Sequence, residues 1–146
     1  MAGNIFRLYC IHLFALIAVA VSTYYPGLDI AMAILYIIII GKEAAENGLT
    51  RGKSIITALS LHLPGFVLVM ITLAGISQGD LSSYAMFILQ YWYIPLIPLI
   101  SLTSHVSLSG MPLYNGVLLL LPVLMSLYYY IVWELAKNKS ARPAEE

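Results

Sequence analysis

What constrains this chain most is the recurrence of apolar stretches about twenty residues long, the length that crosses the hydrocarbon of a bilayer as a helix. Residues 5–25, 54–76 and 113–133 form such stretches, and a shorter one lies at 30–41. Runs such as Ile37-Ile38-Ile39-Ile40 and Leu118-Leu119-Leu120-Leu121 do not alternate, which excludes the strands of an outer-membrane barrel. Charged residues make up only 10% of the chain, against roughly a quarter in an ordinary soluble domain. The fold class that follows is all-α, a polytopic membrane protein. No polar stretch could bury a soluble catalytic core, so residues 1–136 read as a single transmembrane helical domain and 137–146 as a polar tail.

The same residues exclude several functions. Net charge is zero, which gives no electrostatic reason to expect nucleic acid as a partner. Cys10 is the one cysteine, so neither an internal disulfide nor a thiolate cluster can form. The sequence has no P-loop, no His-Glu-x-x-His, no Gly-x-Ser-x-Gly and no pair of aspartates inside an apolar stretch.

Turn chemistry divides the chain. Arg7 followed by an apolar run and Ala18-Val19-Ala20 has the outline of a cleavable signal, but the run is long and a second one follows at once, so an anchoring span is the better reading. Tyr25-Pro26-Gly27-Leu28 has proline and glycine where a tight turn needs them, and Asp29 is placed to cap the next helix. That helix is expected to run on through Glu46. The 41–53 stretch, with Lys42, Arg51 and Lys53, is a polar connection, and Asp80 or Ser82 is expected to cap a later helix. Residues 84–103 are apolar but broken by Pro95 and Pro98, just after Tyr91-Trp92-Tyr93, an aromatic cluster expected at headgroup level.

Arg7, Lys42, Arg51 and Lys53 fall on one side if the first three segments cross. The positive-inside rule then puts the N-terminus and the 41–53 loop in the cytoplasm of a multi-pass cell-membrane protein. If 84–103 dips in and returns, Lys137, Lys139 and Arg142 join them. Four transmembrane helices plus a re-entrant or interfacial hairpin is therefore preferred to five transmembrane helices.

Candidate sites follow from helical spacing. Ser54, Ala58, His62, Gly65, Val69 and Thr72 form one stripe of small and polar residues, as at close helix contacts in membranes. Pro64 has no N–H for the Ser60 carbonyl, which leaves an acceptor near His62. Leu8, His12, Ala15, Val19 and Ser22 form a second stripe. Measured from Arg7 and Lys53, His12 and His62 differ in depth by about 6 Å, one helical turn, so the pair is a candidate for ligating a b-type haem. Gln90 is the amide deepest in its segment and is expected to bond a partner helix. Glu43 and Glu46 suit pairing with Lys42, Glu134 suits pairing with Lys137, and Tyr128-Tyr129-Tyr130-Trp133 reads as an aromatic belt.

Pro64, Pro95, Pro98 and Pro122 interrupt every later hydrophobic segment, as in broken helices that frame a substrate site. The leading expectation is a non-enzymatic integral membrane subunit of a transport-type or multi-subunit assembly, acting as a homo-oligomer or beside a larger membrane partner. One alternative is a redox protein with haem on His12 and His62. Another is a lipid-acting enzyme, which would need a nucleophile or metal near His62 or His105.

Overall fold

A computed structural model describes residues 2–75, 79–108 and 111–140. Apart from one short ladder the regular elements of the described residues are helical: α1 (Ala2–Ser22), α2 (Leu28–Glu46), α3 (Arg51–Ala74), α4 (Gly79–Trp92), a 3₁₀ turn (Ile94–Leu96), α5 (Ile97–Ser101) and α6 (Leu113–Ser140). Residues Ser107–Leu108 (β1) and Met111–Pro112 (β2) pair antiparallel before α6. Three of the helices, α1, α3 and α6, are long and apolar enough to cross a membrane. A fourth candidate is the broken pair Asp80–Trp92 and Ile94–Ser101, whose axes bend by 65°. Outward faces carry Phe14, Ile38, Val67 and Leu120 in the open, an exposure suited to lipid rather than water.

The first turn forms as its residues dictate. Gly27 takes φ 84°, the left-handed value that glycine allows, and the Leu28 amide bonds the Tyr25 carbonyl at 3.1 Å. Asp29 is not the cap. Gly27 holds that position without a side-chain bond, and the Asp29 carboxylate accepts from the next amide, Ile30, at 2.9 Å. Because α2 runs to Glu46 and α3 starts at Arg51, the polar connection shrinks to four residues, Asn47 to Thr50. Ser82 is also not a cap: its hydroxyl donates to the Thr72 carbonyl at 3.0 Å and ties α4 to α3. There Gly75 lies so close to the Ser82 backbone that an added Cβ would sit 3.0 Å from its nitrogen.

The bundle packs α3 between α4 and α6, with α2 against α6 and α1, and the 3₁₀ turn against α1. Its two ends differ. At one end Asn4 donates to Asn47 at 2.9 Å, Asn47 donates to the Tyr129 hydroxyl at 2.5 Å, and Arg51 donates to the Tyr130 hydroxyl at 2.9 Å. Arg7 and Glu43 form an ion pair there, and Lys42 lies 3.7 Å from Glu46. At the other end Asn115, near the start of α6, shares a cavity with Thr72 and Ser82. So α6 begins beside the end of α3 and finishes beside its start.

Two expectations about the second half of α6 are corrected. Tyr128, Tyr129 and Trp133 do not form a belt at the surface: Tyr129 and Trp133 are buried, and the Tyr128 hydroxyl donates to the Ile37 carbonyl at 3.0 Å. That contact needs Gly41, where any Cβ would fall on the Tyr128 hydroxyl. Lys137 lies over the Trp133 ring, 5.2 Å from its centre, instead of pairing with Glu134. α6 continues past residue 136 to Ser140, and Arg142 lies outside the described residues, as do Ser77 and Gln78.

Candidate functional site

The stripe anticipated on α3 is the buried face of that helix. Ser54, Ala58, His62, Gly65 and Thr72 are all buried, and on α1 so are Leu8, His12, Val19 and Ser22. The two histidines reach the same level. His12 is ten residues into α1 and His62 eleven into α3, so they lie about 15 and 16 Å along their helices. Arg7 and Lys53 are uneven reference points for depth, since Arg7 lies five residues into α1 and Lys53 two into α3.

Their meeting point is the break after α4. Pro95 has no N–H, and the Leu96 amide bonds the Tyr93 carbonyl at 2.8 Å, so the Trp92 carbonyl is left without a helical partner. His12 supplies one: its Nε2 lies 3.0 Å from that oxygen. A carbonyl only accepts, so Nε2 carries the proton, and Nδ1 then accepts from the Tyr36 hydroxyl at 2.8 Å. The indole of Trp92 packs against the same ring, with centres 4.5 Å apart. The next residue, Tyr93, is fully buried and stacks on His62, its hydroxyl 3.4 Å from Nδ1. The Tyr91-Trp92-Tyr93 cluster is therefore not at headgroup level as a unit, for Trp92 and Tyr93 form the centre of the bundle.

Gly65 and Ser60 complete this layer. A Cβ on Gly65 would collide with the Tyr93 hydroxyl and stand 3.0 Å from two of its ring carbons. The ring can lie flat on α3 only because that position is glycine. The Ser60 carbonyl that Pro64 leaves open accepts from the Tyr9 hydroxyl at 2.6 Å. Tyr9 also meets Trp92 edge to face at 6.2 Å. Two polar atoms of the layer remain buried without a partner, His62 Nε2 and Trp92 Nε1.

Thr72 and Gln90 lie elsewhere. They line a separate cavity of about 490 Å³ between α3, α4 and α6, with Ser82, Asn115 and the apolar Leu73 and Phe87. Gln90 does not bond a neighbouring helix as expected, because α4 and α6 stand apart on either side of this cavity. Asn115 was missed. It begins a long apolar run, and only the return of α6 beside α3 brings it opposite Gln90.

The chemistry available in the central layer is neutral hydrogen bonding. A bis-histidine haem requires a free nitrogen on each ring, and both nitrogens of His12 are engaged by Tyr36 and Trp92. The His12–His62 pair does not fit that group. Among the described residues no group of three or more His, Cys, Asp or Glu side chains is placed to hold a metal ion. His105 is exposed in the turn before β1, and no hydrogen bond joins it to another described residue. Comparison with protein-family models, with curated proteins and with solved structures gives no match.

Proposed function

We propose that this chain is a non-enzymatic integral membrane subunit of a transport-type assembly, working as a homo-oligomer or beside a larger membrane protein. One observation carries the reading. An apolar segment bends by 65° at Tyr93, and its bend is held at mid-bundle by side chains of three other helices: His12, Tyr36 through His12, and His62. Broken helices with their exposed backbone at mid-membrane are the usual frame of a substrate path in secondary transporters. Irregular backbone at that depth persists only where protein or a wet cavity shields it, and here the histidine and tyrosine side chains do so.

In this reading α1, α2, α3 and α6 each cross the membrane, and α4 with α5 enters and returns as a re-entrant hairpin. α2 supports a crossing through its position beside α1 and α6, although Asp29, Lys42, Glu43 and Glu46 at its ends shorten its apolar run. The end that carries Arg7, Lys42, Arg51 and Lys53 faces the cytoplasm. The bundle is too small to enclose a pathway alone, which is the argument for further subunits.

The test is the mass of the native particle. The chain is extracted at its natural abundance in mild detergent and weighed by native mass spectrometry. Several copies, or a fixed ratio with one larger membrane protein, is the expected result. A particle of one chain and lipid only would overturn the assembly reading.

A further inference from the structure

The cavity between α4 and α6 is polar in an unusual way. Thr72, Ser82, Ser83, Gln90 and Asn115 give it hydrogen-bonding groups, and none of the residues that line it is ionisable. Two of those groups are already committed. The Thr72 hydroxyl donates to the Leu68 carbonyl at 2.8 Å and the Ser82 hydroxyl to the Thr72 carbonyl at 3.0 Å. The carboxamides of Gln90 and Asn115 make no hydrogen bond to other described residues.

Depth turns this into an energetic problem. Gln90 lies eleven residues into α4, about 16 Å from its start. In the hydrocarbon that surrounds a membrane helix, an amide without a partner costs several kcal/mol. Something with donors and acceptors has to meet it. The mouth of the cavity is apolar: Leu73 is 49% and Phe87 58% exposed. A molecule that fills it therefore has a polar part inward and a hydrocarbon part outward.

We propose that this cleft binds an uncharged membrane amphiphile of the acylglycerol type, with its hydroxyl-bearing head against Gln90 and Asn115 and its chain leaving past Leu73 and Phe87. A carboxamide offers a donor and an acceptor together, which matches a hydroxyl. A phosphate or carboxylate would use only the donors and would bring a charge that no lining residue neutralises. A transmembrane helix from another subunit is a poorer occupant. On α6 the cleft is lined by Asn115 and Leu119, near the start of a helix of 28 residues, whereas a helix would need a groove along the full height.

The inference rests on the membrane reading above and not on the assembly. The probe is monooleoylglycerol, titrated into the full-length protein in detergent and followed by native mass spectrometry, with oleate and dioleoylphosphatidylglycerol as charged counterparts. A saturable adduct of one monooleoylglycerol per chain is expected, formed at concentrations at least tenfold below either charged lipid. Gln90→Leu and Asn115→Leu each weaken it about tenfold or more, and Gln90→Asn, which keeps the amide, weakens it less. Leu135→Ala, on the exposed side of α6 beyond the cleft, leaves it unchanged. Should Gln90→Leu fail to fold, Asn115→Leu and Gln90→Asn decide the matter alone. Equal binding by the leucine variants, preference for a charged lipid, or a change of oligomeric state with amphiphile binding untouched would each overturn the proposal. The same spectra report the subunit count, so a lone chain that still binds the lipid would sink only the assembly reading.

Discussion

At the residue scale, the centre of the bundle depends on polar contacts between buried side chains. If Tyr36 loses its hydroxyl, His12 Nδ1 becomes a buried acceptor without a donor, since its other nitrogen is held by the Trp92 carbonyl. Tyr36→Phe is expected to cost about 1–3 kcal/mol, read as a lower midpoint of thermal unfolding in detergent. An unchanged midpoint would mean that the Tyr36–His12 bond carries no stability. Gly65 gives the complementary case, of space rather than bonding. Gly65→Ala drives a methyl into Tyr93, and overpacking of this kind costs about 1–3 kcal/mol. In a Tyr93→Phe background the hydroxyl that takes the worst collision is gone, so the same substitution is expected to cost less. Additive effects of the two changes would show that Gly65 is not making room for that ring. His62 and Gly65 were legible as one face of α3 because helical spacing alone puts them there. Tyr93 was not legible as their partner, since the contact spans thirty-one positions of chain and depends on a bend whose direction prolines do not encode.

At the scale of elements, the prolines did more than interrupt. Pro64 leaves the Ser60 carbonyl open, and that much follows from covalent structure. The donor that answers it, the Tyr9 hydroxyl, comes from α1, and nothing local to α3 announces it. At the break after α4 the Leu96 amide turns to the Tyr93 carbonyl, and the Trp92 carbonyl that it leaves is taken up by His12 of α1. α1 is thus the helix that satisfies the broken backbone of two others, from residues one turn apart. A double-mutant cycle checks this. Tyr9→Phe removes the donor and is expected to cost about 1 kcal/mol. After Pro64→Ala the Ser60 carbonyl regains a helical N–H, and the loss of the Tyr9 hydroxyl should then cost little. A coupling of about 0.5–1.5 kcal/mol is expected, and additivity within about 0.3 kcal/mol would show that Tyr9 does not serve the proline-freed carbonyl. Element ends were read less well than faces. Asp29 and Ser82 were expected to cap helices because their residue types favour it. Gly27 already turns the chain before Asp29, and Ser82 is drawn instead to the α3 backbone by the close approach at Gly75.

At the scale of the whole molecule the decisive quantity is the side on which α6 ends. Among the described residues Arg7, Lys42, Arg51 and Lys53 cluster around the Asn47 turn, and Lys137 shares a cavity with Asn47 and Glu46. Asn47 donates to Tyr129 of α6 and Arg51 to Tyr130, so the turn and the end of α6 lie at the same end of the bundle. That juxtaposition is the support for the proposed four crossings over the alternative of five. The re-entrant reading keeps them together and puts every described lysine and arginine on the side that the positive-inside rule favours. Fluorescent-protein fusions, which mature in the cytoplasm, provide the test when set beside alkaline-phosphatase fusions, which are active only outside it. Fusions at Gly48 and after the last residue should both fluoresce, and an alkaline-phosphatase insertion at His105, in the turn between α5 and β1, should be active. A C-terminal fusion active only outside the cell would break both the re-entrant hairpin and the Asn47–Tyr129 contact together. Asn47→Ala offers a finer reading of the same contact, since it removes the link between α1, the turn and α6 without altering any charge. The expected outcome is a bundle that keeps its orientation, because charge sets that, but unfolds at a lower temperature, because Tyr129 is left buried with an unanswered hydroxyl.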